Sequence, residues 1–145
     1  MTILVDTAPL VCLADVADPR RPQVRAALRN TRERLVVPAP ITAEVDYFLS
    51  NRFPAAAARN FLADIAAGRF EVECLETAEY SELLRLEQRY AAFNLGLADL
   101  SIVVLAARFK TRTILTFDER HFRNIEPLQG GRFTILPADA PDGDA

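Results

Sequence analysis

Four acids stand where a carboxylate can do chemistry as well as solvate a surface. Asp6 closes the apolar run "TILVD", and Asp118 closes a second, "TRTILTFD". Asp99 falls near the start of the apolar stretch "NLGLADLSIVVLAARFK", and Glu44 follows Thr42 closely in "PITAEVDYFLSNRF". An acid that ends a buried strand emerges at the strand's carboxyl edge, where open α/β sheets gather their ligands. Carboxylates at one rim repel each other, and an oxygen-ligated Mg2+ or Mn2+ ion is the usual compensation. The constellation implies a metal.

Each acid also has a purely structural reading. Asp6 can cap the helix that follows it, and Asp99 can cap its own helix while favouring the positive end of its dipole. Glu44 in a first turn is favourable to the dipole in the same way. Asp118 can form a turn by bonding its own backbone. The joint arrangement outweighs any member, because four unrelated caps or turns need not fall on one rim of one sheet. His121 is the one histidine and lies three residues past Asp118. It reads as a packing or surface residue, since hard Mg2+ prefers oxygen. Glu119 and Asp46 read as solvated.

These acids need a sheet with helices packed on it. Thr2 to Asp6 is a short β-branched apolar run and reads as a buried strand, with a helix from "APLVCLADV" and another from Arg20 to Asn30. "RLVVP" reads as a strand that Pro38 ends, followed by a helix with Thr42 as its cap. "PAAAARNFLADIAAG" has proline at its start and Gly68 at its end, the usual asymmetry of helix termini. "RFEVECL" reads as an edge strand, and Thr77 to Tyr90 as an amphipathic helix. The apolar helix around Asp99 belongs in the core, and "TRTILTFD" and "GRFTILP" supply two last strands. Alternating strands and helices predict an α/β fold with a mostly parallel sheet and right-handed crossovers.

A chain of 145 residues is about one domain, and a composition half hydrophobic and a quarter charged is that of a globular protein. The start, broken by Asp6 and Pro9, reads as neither a signal peptide nor a membrane span, so no membrane association and a cytoplasmic location are expected. Cys12 and Cys74 sit in apolar stretches without CxxC spacing and read as buried free thiols. A net charge of -3 argues against binding nucleic acid by bulk electrostatics alone. Of the 17 basic residues only Lys110 is a lysine, a bias that suits phosphate recognition and that a GC-rich genome also produces.

"ILVDTAPLV", "PAPITAEV", "GLADLSIVVLAA" and "ILTFDERHF" resemble, in order, the four motifs of PIN-domain ribonucleases, in particular the VapC-type toxins of bacterial toxin–antitoxin pairs. The resemblance spans Thr2 to Leu136. It implies a PIN-like three-layer α/β/α sandwich over residues 1–137, ahead of an acidic tail, 138–145, that is expected to be disordered. The family's acidic positions fall on Asp6, Glu44, Asp99 and Asp118. Asp6, Asp99 and Asp118 are then the metal ligands, and Glu44 a ligand or a residue that orients water. Thr116 matches the family's Thr-x-Asp, where the hydroxyl supports the acidic cluster. Ala8 departs from a frequent serine.

The resemblance further implies hydrolysis of RNA phosphodiester bonds with Mg2+ or Mn2+, leaving a 5′-phosphate and a 3′-hydroxyl. Arg120 and Arg123 flank the last acid and are candidates for RNA phosphate contacts. A VapB-type antitoxin lying across the groove and a homodimer are implied as partners, the helices from Ile41 to Ala67 suiting a protein contact. Two other readings share aspartates at strand ends. A receiver-like or phosphatase domain that handles phosphoryl groups in an acidic pocket needs a lysine near it, and a non-catalytic PIN-fold binding module would have lost the acids.

Overall fold

The computed structural model describes residues 1–142. The chain runs β1 (Thr2–Val5), α1 (Thr7–Cys12), α2 (Arg21–Asn30), β2 (Arg34–Pro38), α3 (Ala39–Arg52), α4 (Ala55–Ala66) and β3 (Glu71–Glu73). It continues as α5 (Tyr80–Arg89), α6 (Leu97–Arg108), β4 (Thr113–Leu115), α7 (Glu119–Phe122) and β5 (Thr134–Leu136), with single 3-10 turns leading into and out of α5. The strands form one sheet in the order β3-β2-β1-β4-β5, and every neighbouring pair is parallel. Parallel strands need crossovers, and right-handed ones put α1 to α4 on one face and α5 and α6 on the other.

The predicted strands are all present: β1, β2 and β4 are short apolar runs buried in the middle of the sheet, while β3, Glu-Val-Glu with no buried residue, is the expected edge strand. All four residues of β1 are buried, as are Val36, Val37, Ile114, Leu115 and Ile135 in its neighbours. α6 is buried over seven consecutive residues, Leu100 to Ala106, and is apolar all round because the sheet and α5 enclose it. Gly68, with φ of 76°, takes the left-handed conformation just past α4, where a side chain would be strained.

Several helix starts differ from expectation. α3 begins at Ala39, and Pro40 fits its first turn because the missing N–H needs no partner there. Thr42 is therefore inside the helix and its hydroxyl donates to the Ala39 carbonyl at 2.7 Å. Glu44 consequently lies in the second turn, away from the positive end of the dipole. Before α5, the cap is Glu76, which exchanges bonds with Glu79 across the turn in a reciprocal box. Cys12 is buried and Cys74 is exposed, so the expectation of two buried thiols holds for one. The segment assigned to the acidic tail starts as a turn, in which Asp139 accepts from the Ile135 N–H at 2.8 Å and pairs with Arg123. Residues 143–145 of that expected tail lie outside the described residues.

Candidate metal centre

The strand order reverses between β1 and β4: β2 and β3 lie on one side of β1, β4 and β5 on the other. The crevice beyond the carboxyl ends of such a pair is where open α/β sheets bind ligands. Val5 pairs with Leu115, and the Asp6 N–H donates to the Leu115 carbonyl at 2.9 Å. The residues that follow, Asp6 on one strand and Thr116 to Asp118 on the other, are thereby fixed side by side.

Asp6 is 7 % exposed and caps α1. One carboxylate oxygen accepts from the Thr7 N–H at 2.7 Å, and the other from the Thr116 hydroxyl at 2.7 Å. Thr116 in turn accepts from the Asp118 N–H at 3.0 Å. Its hydroxyl thus ties the two acids together, the supporting position that the family resemblance implied. Asp118 caps α7: its Oδ1 accepts from the His121 N–H at 3.0 Å, and its Oδ2 lies 2.7 Å from His121 Nδ1. Asp99 comes from the first turn of α6, three residues past Gly96, which occupies the cap position. Its carboxylate makes no cap, and among the described residues it accepts no hydrogen bond.

These side chains line one open cavity. Six acidic residues line it, Asp6, Asp15, Asp18, Glu44, Asp99 and Asp118, together with Arg20 and Arg52. Burial pushes the Asp6 carboxyl up, the bonds from Thr116 and Thr7 oppose that, and the charges of Glu44 and Asp118 add to it. Burial raises Asp99 most, to about 6, followed by repulsion from Asp6 and Asp118, with His121 acting in the opposite direction. Cys12 also lines the cavity, but burial and the Asp18 charge push its thiol up to about 11, so it packs and is no nucleophile at neutral pH.

The donor set fits a divalent cation. Ligand atoms of Asp99, Asp118 and His121 lie within 4.8 Å of one another, and clustered, mutually repelling carboxylates are the donors that a hard divalent ion takes. The tightest set of three therefore contains His121, where Asp6 was expected. His121 also packs against Phe93, with ring centroids 5.6 Å apart. The packing expected of His121 is present, and the same ring also touches Asp118, a contact the sequence reading did not include. The spacing of three from Asp118 is the cap-to-N3 spacing that makes such a contact, and was the available signal. Glu44 is exposed on α3 and reaches the cavity from its far wall.

The two arginines picked from sequence do not line this cavity. Arg123 is held by Glu119 and Asp139, each at 2.7 Å, and Arg120 is exposed on the outer side of α7. A larger groove between α1 and α4, lined by Leu10, Phe53, Ala57 and Phe61, gathers no comparable acids; its Asp64 and Arg69 pair with each other at 2.6 Å.

The profile of the PIN domain family matches residues 3–127. Ribonuclease VapC26 of Mycobacterium tuberculosis is 36% identical over 135 residues, which is 93% of this chain and 100% of that protein. Among solved structures, VapC20 of Mycobacterium tuberculosis, a toxin described as cleaving the sarcin–ricin loop, aligns with a TM-score of 0.73 at 16% identity, over 80% of this chain and 89% of its own. A toxin–antitoxin complex from Klebsiella pneumoniae aligns at 0.64 and 19% identity, over 85% and 92%. VapBC2 from Rickettsia felis, bound to DNA from its promoter, aligns at 0.66 and 18% identity, over 93% and 98%. The three structures share the fold, and the sequence match carries the kinship further. The chain belongs to the PIN domain family, and within it to the group of VapC ribonucleases.

Proposed function

We propose that this protein is a metal-dependent endoribonuclease, the toxin of a toxin–antitoxin pair, that hydrolyses RNA phosphodiester bonds at the acidic cavity. The observation that carries the reading is the chain from Asp6 through Thr116 to Asp118, with Asp99 beside it, at the point where the strand order reverses. Asp6, Asp99 and Asp118 hold the ion, directly or through water, with Mg2+ or Mn2+ as the fitting cations. When bound, the ion supplies Lewis acidity, lowering the pKa of water and neutralising charge on the phosphodiester.

The protein's own part is placement. Thr116 keeps one oxygen of Asp6 and the backbone of Asp118 in fixed relation, so the two strand ends present their carboxylates together. His121 holds Asp118 at two points, through its backbone N–H and through Nδ1 of its ring. Glu44, from the opposite wall, orients water or completes the ligand set.

The catalytic domain spans residues 1–137, with 138–145 as an appended acidic tail, and the protein acts in the cytoplasm as a homodimer restrained by a VapB-type antitoxin. Tyr47 and Leu62, 63% and 59% exposed on α3 and α4, support a protein contact there. No helix among the described residues is long and apolar enough to cross a membrane. The phosphoryl-handling alternative fares worse: Lys110 lies just past the far end of α6, eleven residues and about 16 Å along the axis from Asp99.

The test is cleavage of RNA by purified protein with Mg2+ or Mn2+, with EDTA, and as Asp6→Asn or Asp118→Asn. Cleavage should require the metal and fall by roughly 100-fold or more in each variant, since even outer partners of a metal ligand contribute 10–100-fold. Full activity in either variant would remove the assigned site.

A further inference from the structure

An RNA strand that reaches six carboxylates must be held by cations, because the cavity repels phosphate until an ion is bound. Two guanidinium groups line it, and they are not equivalent. Arg20 is committed to Asp18 through two bonds, at 3.0 and 2.8 Å, and lies over the Phe117 ring at 4.1 Å. Its charge is already matched. Arg52 forms no ion pair among the described residues and lies over the Phe48 ring, 4.6 Å from the centroid.

Helix periodicity then puts Arg52 in register with the acidic cluster. Glu44, Phe48 and Arg52 are four residues apart on α3, so they form one stripe along the cavity wall. The stripe runs acid, aromatic, cation, with Arg52 about 12 Å along the helix axis from Glu44. The guanidinium therefore belongs to the same cavity wall as Glu44, about two turns further along α3, with Phe48 as a platform that limits its freedom. A planar, unpaired fork held over a ring is suited to phosphate oxygens.

We propose that Arg52 is the residue that binds the RNA backbone, contacting a phosphate next to the one cleaved, with Phe48 holding it in place. The contact is with phosphate and not with a base, so it adds affinity without sequence preference. The inference deepens the ribonuclease reading and rests on it for the identity of the strand.

The experiment compares the full chain with Arg52→Ala, Arg52→Lys and Phe48→Leu, and with Arg59→Ala on the outside of α4 as a control. Binding of fluorescein-labelled single-stranded RNA oligonucleotides of two unrelated sequences is read by anisotropy with Ca2+ in place of Mg2+ across a salt series, and cleavage by KM and kcat with Mg2+. Arg52→Ala should weaken binding of both sequences roughly five- to tenfold and make the log–log salt slope shallower by about 0.7, one single-strand phosphate. KM should rise with kcat little changed. Arg52→Lys should recover part of the affinity, Phe48→Leu should lose part of it, and Arg59→Ala should match the wild type. Affinity and salt slope unchanged in Arg52→Ala would overturn the inference, as would a loss confined to one sequence. If the wild type binds RNA with this Arg52 dependence but does not cut it, the inference stands and the cleavage reading fails; if the wild type binds no RNA, both fail.

Discussion

Asp99 enters the cavity with its carboxyl raised to about 6, first by burial and then by Asp6 and Asp118. Above its ordinary value of 3.8 the unfolded chain releases a proton that the folded, metal-free chain keeps until about 6. Stability of the metal-free protein therefore falls as pH rises through that window and stays reduced above it, and the raised Asp6 acts in the same direction. Glu71, Glu79 and Asp139, held low by Arg34, Arg108 and Arg123, contribute fully above their ordinary values and lose that contribution as pH falls through them, so the trend is read above that range. In EDTA the melting temperature should decline from about pH 5.5 to pH 7. Asp99→Asn should flatten that decline, and added Mg2+ should raise the melting temperature more at the upper pH than at the lower. A metal-free melting temperature that climbs across this range would contradict the account. Asp99, Asp6 and Asp118 were legible in the sequence because each interrupts an apolar run, an anomaly visible without coordinates. Arg52 was not, because one arginine among many carries no local mark of what it faces.

At the scale of elements, α6 does two jobs: it fills the core over Leu100 to Ala106 and holds Asp99 at its amino end. Leu105 is fully buried, and Leu105→Ala should cost about 2–5 kcal/mol in urea unfolding, the range for a leucine whose cavity cannot collapse. Metal-dependent cleavage measured well below the variant's melting temperature should persist, since Leu105 sits six residues from Asp99. A loss of stability under about 1 kcal/mol would show that the helix is less tightly enclosed than its burial indicates. The existence of this helix was legible from its unbroken apolarity, whereas the start of α3 was not. A threonine with a suitable sequence invited a side-chain cap, but Pro38 and Pro40 set the cap position four residues earlier, where Pro40 has no N–H left to satisfy in the first turn.

For the molecule as a whole, the sheet and its core are built from apolar side chains, Val5 and Leu100 beside the acids among them, whose packing does not need the carboxylates. Removing metal should therefore lower the melting temperature without abolishing the fold. Circular dichroism at 25 °C in EDTA should retain the helical signal of the metal-loaded protein, and its collapse would make the ion part of the fold. The parallel α/β architecture followed from the sequence because alternating apolar strands and amphipathic helices have few other ways to bury their faces. The meeting of Asp6 with Asp118 followed less directly: Asp6 comes one residue past β1, but Asp118 comes three past β4, where it caps α7 instead of ending the strand. Tertiary structure alone decided that Thr116 bonds both acids, that His121 grips Asp118 while packing on Phe93, and that Arg52 faces the cavity while Arg123 is tied to Glu119 and Asp139. Local sequence reports the period of an element and the burial it demands. The direction of a side chain beyond a strand end depends on the phase of the next helix and on the path of the loop before it, and both are set by packing against residues far away in the chain.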